Sequence, residues 1–194
     1  MDNISTDRLN ISIMSLEDEE LLFDLDQNPE VMRYINGGKI TSRTDITDIY
    51  IPRLASYLTP SKGWGLWKVV QKANLENIDE RQHFLGWILI RPMGFFSEKP
   101  DYTNLEIGWR FKQSAWGQGI ATESARAVIE LLVKHQADIE RFSAIADENN
   151  IASINIMKKL GMSFINTQQH PDIADDYKIV LYSMKVNRSM LIET

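Results

Sequence analysis

The sequence contains no cysteine among its 194 residues. This absence excludes a disulfide framework, a thiolate metal site and a cysteine nucleophile. Histidine is scarce as well, because only His83, His135 and His170 occur and they are widely separated. Clustered histidines are typical of zinc sites. We therefore expect no metal.

Basic residues are in deficit, with 21 Lys and Arg against 27 Asp and Glu, so the formal charge is −6. Nucleic-acid binding depends on a surplus of basic side chains, so we expect no nucleic-acid partner. No window approaches the roughly 20 apolar residues of a membrane span, and we expect no membrane partner. Asp2 and Asp7 lie where a secretion signal carries basic residues. We expect a cytoplasmic protein.

The composition that remains is that of a globular protein, with 43% apolar and 25% charged residues. The chain shows no repeat and no linker, which favours one domain over residues 1–194. Period-two patterns predict strands, and period-3.6 patterns predict helices. The predicted strands are 8–14, 64–70, 83–91, 104–111, 139–147 and 177–185. A first helix is predicted directly after residue 15, and further helical stretches are predicted at 31–34, 45–57, 121–134 and 150–160. This order indicates a mixed α/β fold.

The most informative stretch is 105–128, LEIGWRFKQSAWGQGIATESARAV, where a strand enters a turn with Gly117 and Gly119 and a helix follows. Glycine permits positive φ, and a helix N-terminus presents unpaired N–H groups to an anion. The pattern alone fits a phosphate cradle and a ligand-free tight turn equally. It is not a P-loop, because no Lys follows Gly119, nor a dinucleotide fingerprint, because Thr122 replaces the third glycine.

The stretch EIGWRF…SAWGQGIATESARAVIELL resembles the acetyl-coenzyme-A signature of the GNAT acetyltransferases, in the RimJ/RimL-like branch of ribosomal-protein N-acetyltransferases. TDRLNI, NPEVMRYI and ENNIASINIMKKLGMSFI agree with that family in order and spacing. The resemblance implies an α/β (α+β) fold whose mostly antiparallel central sheet has six to seven strands and helices on both faces. It also implies an N-acetyltransferase that moves an acetyl group from acetyl-CoA, its co-substrate, to a primary amine.

The resemblance also implies the cofactor-binding residues. The backbone of Trp109, Arg110 and Phe111 would pair with the pantetheine arm. The pyrophosphate would lie on the main chain of Gly117, Gln118, Gly119, Ile120, Ala121 and Thr122. Asn150 would lie near the cofactor, although an N-cap requires the same side chain at the same place, and both roles can hold together.

For the chemistry, the resemblance makes Glu106 the base that accepts the amine proton, directly or through water. The alternatives are a solvated strand glutamate or an ion-pair partner of Arg110 or Lys112. The tyrosine acid of many relatives is replaced by Met157, and Ser153 is the candidate proton donor to the sulfur, unless coenzyme A leaves without a dedicated acid. Tyr34, Trp64 and Trp67 either line the acceptor side or pack in the core.

Two rival functions stay open: a non-catalytic acyl-CoA-binding module or sensor with the same fold, and an unrelated enzyme that binds a phosphate ligand at the glycine turn. Because the chain has no thiol to carry an acetyl group, an acetyltransferase of this sequence is expected to use direct transfer in a ternary complex. The acceptor class is a protein N-terminus or a small-molecule amine. A homodimer is left open.

Overall fold

The computed structural model describes residues 1–72, 80–169 and 178–188, and the strands of these ranges form one sheet. The strands are β1 (Ile4–Ser5), β2 (Leu9–Ile13), β3 (Gly65–Gln71), β4 (Phe84–Met93), β5 (Asp101–Phe111), β6 (Arg141–Asp147), β7 (Ser163–Gln169) and β8 (Lys178–Lys185). Their order across the sheet is β1-β2-β3-β4-β5-β6-β8-β7. All neighbouring strands are antiparallel except β5 and β6, which are parallel.

Helices flank the sheet, and their ends follow from local sequence. They are α1 (Glu19–Leu25), α2 (Pro29–Asn36), α3 (Arg43–Asp45), α4 (Ile51–Tyr57), α5 (Glu80–His83), α6 (Ile120–His135) and α7 (Ile151–Lys159), with π-helical Ile46–Tyr50 between α3 and α4. Ser15 forms a capping box with Asp18 just before α1. Asn28 accepts a hydrogen bond from Glu30 N–H and starts α2, and Gly37 ends α2 in the left-handed conformation.

The two faces of the sheet carry separate hydrophobic cores. On one face, Val128 and Leu132 of α6 pack with Leu105 and Ile107 of β5. On the other face, the core consists of residues from α1, α2, α4 and the sheet, including Leu25, Leu54, Leu66 and Phe84. Burial of one such side chain is worth about 1.5–3 kcal/mol, so each core fixes its helices against the sheet.

The parallel pair β5 and β6 separates soon after it begins. Their register joins three residue pairs, the last of which is Glu106 with Ser143. β5 then continues to Phe111 and β6 to Asp147, so the two strands diverge into a V. α6 follows β5 through the glycine turn, and α7 follows β6 directly. The V therefore opens between the N-terminal ends of two helices.

The sequence-based fold is confirmed in class and differs in detail. The sheet has eight strands instead of six to seven, because β1 is only two residues long and β7 is polar and exposed, without apolar alternation. His83 ends the helical turn α5 instead of starting a strand. His170, Tyr177 and most of the predicted loop 71–82 lie outside the described residues. Within the described ranges, no helix is long and apolar enough to cross a bilayer.

Candidate cofactor cleft

A cleft of about 580 Å³ occupies the V between β5 and β6. Its walls come from α2, β4, β5, the glycine turn with the start of α6, the end of β6, and α7. They include most of the predicted site residues, namely Trp109, Arg110, Phe111, Gly117, Gly119, Ile120, Ala121, Thr122, Asn150 and Ser153. Glu106 and Gln118 are outside this lining. The fold thus brings residues from five separate stretches of sequence to one cavity, the last being Ile179 of β8.

The glycine turn forms the end of the cleft beside α6. Gly117 and Gly119 have φ values of +73° and +76°, which side chains other than glycine rarely adopt. The first backbone hydrogen bond of α6 runs from Glu123 N–H to Gly119 O at 3.0 Å. The N–H groups of the preceding helical residues, Ile120 to Thr122, therefore lack intrahelical acceptors and lie at the positive end of the helix dipole. This end of the cleft is suited to a phosphate-type anion.

Strand alternation decides which part of β5 faces the open side of the V. Lys112 N–H donates to Leu85 O at 2.7 Å, so the backbone of Arg110, two residues earlier, also faces β4. The backbone groups of Trp109 and Phe111 then point into the V. The Phe111 carbonyl already accepts a hydrogen bond from Trp116 Nε1 at 2.9 Å. Of the three predicted backbone contacts, Trp109 is therefore placed to offer both its donor and its acceptor.

The N-terminal turn of α7 forms the opposite wall. Asn150 caps this helix by accepting a hydrogen bond from Ser153 N–H at 3.1 Å, and it also lines the cleft. Ser153 Oγ accepts a hydrogen bond from Trp109 Nε1 at 2.9 Å, which leaves the hydroxyl proton of Ser153 available to a ligand. Met157 is fully buried in the core and is not among the cleft residues. Ser153 is thus the hydroxyl that this helix presents to the cleft.

Glu106 lies at the apex of the V, with its side chain on the face covered by α1 to α4. Its two carboxylate oxygens accept hydrogen bonds from Arg91 Nε at 2.8 Å and Arg91 Nη2 at 3.0 Å. An ion pair with Arg110 or Lys112 was one alternative to the catalytic role, and the cation that pairs with Glu106 is instead Arg91. Arg91 lies directly opposite Glu106 on β4, whereas Arg110 lies four pairs further along and binds Asp26. A bidentate pair of this kind fixes the carboxylate firmly.

A second buried ion pair connects β5 to the segment before α2. Arg110 Nη1 donates to Asp26 Oδ1 at 2.6 Å, and Thr41 Oγ1 donates to Asp26 Oδ2 at 2.9 Å. The Arg110 side chain also lies 5.0 Å from the ring centroid of Trp87. Arg110 and Trp87 both line the cleft, so this contact network holds the wall formed by α2 against the strand that carries Trp109.

Tyr57 completes the buried polar group beneath Glu106. The Arg91 guanidinium lies 5.7 Å from the centroid of the Tyr57 ring, and the tyrosine is 7% exposed. Burial raises the pKa of Tyr57 to about 12, because removal from water disfavours the phenolate. Tyr57 therefore stays protonated at any physiological pH.

Among the aromatic candidates for the acceptor side, Tyr34 lines the cleft, whereas Trp64 and Trp67 are buried in the core away from it.

Sequence reasoning missed Asp147, which ends β6 and lines the cleft. Its Oδ1 accepts a hydrogen bond from Asn149 N–H at 2.7 Å. The position of Asp147 just before the capping residue of α7 was the signal that could have identified it. In the described part of the chain, no three His, Asp or Glu side chains are grouped to hold a metal ion.

Sequence comparison identifies the family to which this fold and cleft belong. A profile described as "Acetyltransferase (GNAT) domain" matches residues 8–163. The Bacillus subtilis (strain 168) protein YkkB is 32% identical over 165 residues, which span 84% of this chain and 86% of YkkB. FsC-acetyl coenzyme A-N(2)-transacetylase of Aspergillus fumigatus is 24% identical over 166 residues, spanning 84% of this chain and 66% of that enzyme.

Solved structures share the fold at lower identity. RimL, a ribosomal alpha-N-protein acetyltransferase in complex with coenzyme A, superposes with a TM-score of 0.69 at 14% identity, covering 95% of this chain and 98% of RimL. Aminoglycoside acetyltransferase AAC(6')-Ib, also in complex with coenzyme A, gives a TM-score of 0.69 at 16% identity, covering 96% and 99%. The chain belongs to the GNAT acetyltransferase family.

Proposed function

We propose that this acetyltransferase binds acetyl-CoA in the V-shaped cleft and transfers the acetyl group to a primary amine. The observation that carries the proposal is the cleft itself, which combines an unpaired strand edge at Trp109 with a glycine turn whose helix N-terminus lacks acceptors. The strand edge suits an amide-containing arm, and the helix terminus suits a pyrophosphate. RimL and AAC(6')-Ib, which share this fold, were solved with coenzyme A.

An acceptor that arrives as an ammonium loses two protons on becoming an amide. One of them balances the proton that the departing sulfur gains, and the other passes to solvent. Glu106 is our candidate acceptor of the amine proton, through a water at the carboxylate lone pairs that Arg91 leaves unused. Ser153 is our candidate donor to the sulfur, because the indole of Trp109 orients its oxygen and leaves its proton available. The new C–N bond forms as the C–S bond breaks, and Ser153 is then reprotonated from solvent. Holding the amine against the thioester carbonyl supplies most of the rate, worth about 7–11 kcal/mol at best.

We expect direct transfer in a ternary complex, because the chain has no cysteine that could carry the acetyl group. Initial rates measured against both substrates should give intersecting lines in double-reciprocal plots. Parallel lines, or an acetyl-enzyme trapped without acceptor, would contradict direct transfer.

Asp147 is our candidate for recognition of the acceptor, because it is a carboxylate on the cleft wall and the acceptor arrives as an ammonium. The acceptor is either a protein N-terminus or a small-molecule amine, as the names of RimL and AAC(6')-Ib illustrate for those proteins. Asp147→Asn should raise KM for the amine and leave KM for acetyl-CoA unchanged. An unchanged amine KM would exclude this role.

The test of the function is an assay of thiol release from acetyl-CoA with a panel of peptide N-termini and small amines, accompanied by calorimetric binding of coenzyme A. We expect micromolar binding and acceptor-dependent thiol release. Binding without release for any acceptor would favour the non-catalytic acyl-CoA-binding module. Failure to bind coenzyme A would overturn the proposal.

The role of Glu106 is tested by comparing Glu106→Gln with Arg91→Lys, since both disturb the same ion pair. If Glu106 accepts the proton, Glu106→Gln should lower kcat by about 100-fold, a common size for base catalysis. Arg91→Lys keeps the carboxylate and a positive charge, and its kcat should fall far less. Equal losses of kcat and of melting temperature in the two variants would make the pair structural only.

A further inference from the structure

Two side chains near the N-terminus form hydrogen bonds with the first turn of α6. Thr6 Oγ1 donates to Glu123 Oε1 at 2.7 Å, and Arg8 Nε donates to Glu123 Oε2 at 2.7 Å. Arg8 Nη2 also donates to the main-chain carbonyl of Gln118 at 2.8 Å. One guanidinium therefore binds both the glycine turn and the helix that follows it, across 110 and 115 residues of sequence.

The glycine turn needs such an external anchor. Gly117 and Gly119 carry no side chains that could pack, and glycine has the largest backbone freedom of all residues. The amides from Gly117 to Thr122 can bind one anion together only if the turn keeps a single conformation. Arg8 fixes the carbonyl between the two glycines, and its Nη2 lies 3.7 Å from the position that a Cβ of Gly119 would occupy.

The exposure of this ion pair indicates where its effect will appear. The Arg8 and Glu123 side chains are 46% and 27% exposed, and such pairs contribute little to overall stability. The hydrogen bonds from Thr6 and Arg8 are nevertheless short and directed: two reach Glu123 in the first turn of α6, and one reaches Gln118 in the glycine turn. Loss of Arg8 should therefore leave folding nearly intact while the turn loses its fixed shape.

We propose that Arg8, assisted by Thr6 and Glu123, is a positioning residue that holds the glycine turn in the conformation that binds the pyrophosphate of acetyl-CoA. This inference rests on the proposed function, which places the pyrophosphate at that turn. Arg8 acts through the turn: it bonds the outward Gln118 carbonyl, and the amides of the turn make the contact with the ligand. The segment TDR and the segment ATE thus act together, although one lies at the start of the chain and the other in α6.

The test compares Arg8→Ala and Arg8→Lys with the wild type by calorimetric titration with coenzyme A. Arg8→Ala should raise Kd about tenfold, equivalent to the loss of one good contact. Lysine keeps the charge but has a single ammonium, which cannot hold Glu123 and Gln118 in a planar fork, so Arg8→Lys should also raise Kd by about threefold or more. The amine KM and the kcat at saturating acetyl-CoA should stay within about twofold of the wild type, a split that general damage would not give.

Arg43→Ala is the matched control, because Arg43 forms a comparably exposed pair with Glu20 and lies outside the cleft. It should change the melting temperature as little as Arg8→Ala does and leave Kd for coenzyme A unchanged. The double variant Arg8→Ala/Glu123→Gln separates positioning from charge. If an uncompensated Glu123 merely repelled the anion, the second substitution would restore binding; positioning requires that it does not, because the Gln118 carbonyl stays unheld.

Three results would overturn the inference: a Kd for Arg8→Ala within about twofold of the wild type, full binding by Arg8→Lys, or recovery of binding in the double variant. Wild-type protein that fails to bind coenzyme A would instead overturn the proposed function, and the inference with it. The wild-type titration therefore tells the two failures apart.

Discussion

Gly86 on β4 provides the sharpest test of how the sheet positions the cleft. It lies directly opposite Phe111 of β5, and its φ is +150°. A Cβ added here would lie 2.2 Å from Arg110 O and 2.6 Å from Phe111 Cα. Both atoms belong to the backbone, so no side-chain rotation can relieve the clash. The only relief available to Gly86→Ala is a movement of β4 away from β5.

The size of that movement follows from the contact distances. Real Cβ atoms essentially never approach a heavy atom closer than 3.0 Å, so the two strands must separate locally by about 0.8 Å. Overpacking of this kind costs about 1–3 kcal/mol, and the unusual φ adds about 1 kcal/mol. For a chain of this length, 1 kcal/mol lowers the melting temperature by about 2–4 °C. Gly86→Ala should therefore melt roughly 4–16 °C below the wild type.

The displacement should also change the cleft, because the clash occurs at the backbone of Arg110 and Phe111. Arg110 binds Asp26 and directly follows Trp109, whose backbone forms the open edge. We expect Kd for coenzyme A to rise about tenfold in Gly86→Ala. Gly108→Ala is the stability control, since its Cβ would meet Leu89 at an ordinary 3.5 Å. A Gly86→Ala protein that melts and binds coenzyme A like the wild type would refute the reasoning.

Three further predictions concern stability. Arg188→Ala should lower the free energy of unfolding by about 1–3 kcal/mol in urea titrations and leave Kd for coenzyme A unchanged. Arg188 donates hydrogen bonds to the carbonyl of Val133 in the last turn of α6 and to those of Gln136, Ala137 and Ile139 beyond it. Asp26→Asn should cost about 3 kcal/mol in the same assay, since it leaves the Arg110 charge buried without its partner; a smaller loss than for Arg188→Ala would contradict this. Tyr57 ionises near pH 10 when unfolded and near 12 when folded, so its contribution is complete below pH 10 and is lost as the pH rises towards 12. Between pH 9 and 11.5 the wild type should lose roughly 2 kcal/mol more than Tyr57→Phe, and equal losses would show that Tyr57 is not the group responsible.

Local sequence was enough to predict most of the fold. The alternation of RLNISIM predicted β2, and the pair Gly117 and Gly119 predicted the turn before α6, because both are short-range consequences of side-chain direction and backbone freedom. β7 was not predicted, because it is an exposed edge strand and its apolar residues do not alternate with polar ones. Its existence depends on pairing with β8, which is a property of the folded sheet.

The partners of the charged site residues depended on register in the same way. Glu106 and Arg91 are 15 residues apart and face each other only because β4 and β5 pair as they do. Lys112 is nearer to Glu106 in sequence than Arg91 is, but it lies just beyond the far end of β5. The catalytic role of Glu106 stays a prediction from the family resemblance, whereas the antiparallel register determines which cation holds its carboxylate.

Alternation along β5 explains how one strand serves two sides of the cleft. The side chains of Trp109 and Phe111 point towards α6 and α7, and their backbone groups point into the V. The side chains of Glu106 and Arg110 point towards α1 to α4, and the backbone of Arg110 faces β4. Substitutions at even positions of β5 therefore alter the polar wall beneath α2, where Asp26 is bound, and leave the hydrogen-bonding edge unchanged. The edge itself can be changed only by moving the strand, as we expect of Gly86→Ala, so the polar wall beneath α2 and the backbone edge at Trp109 should respond to separate sets of substitutions.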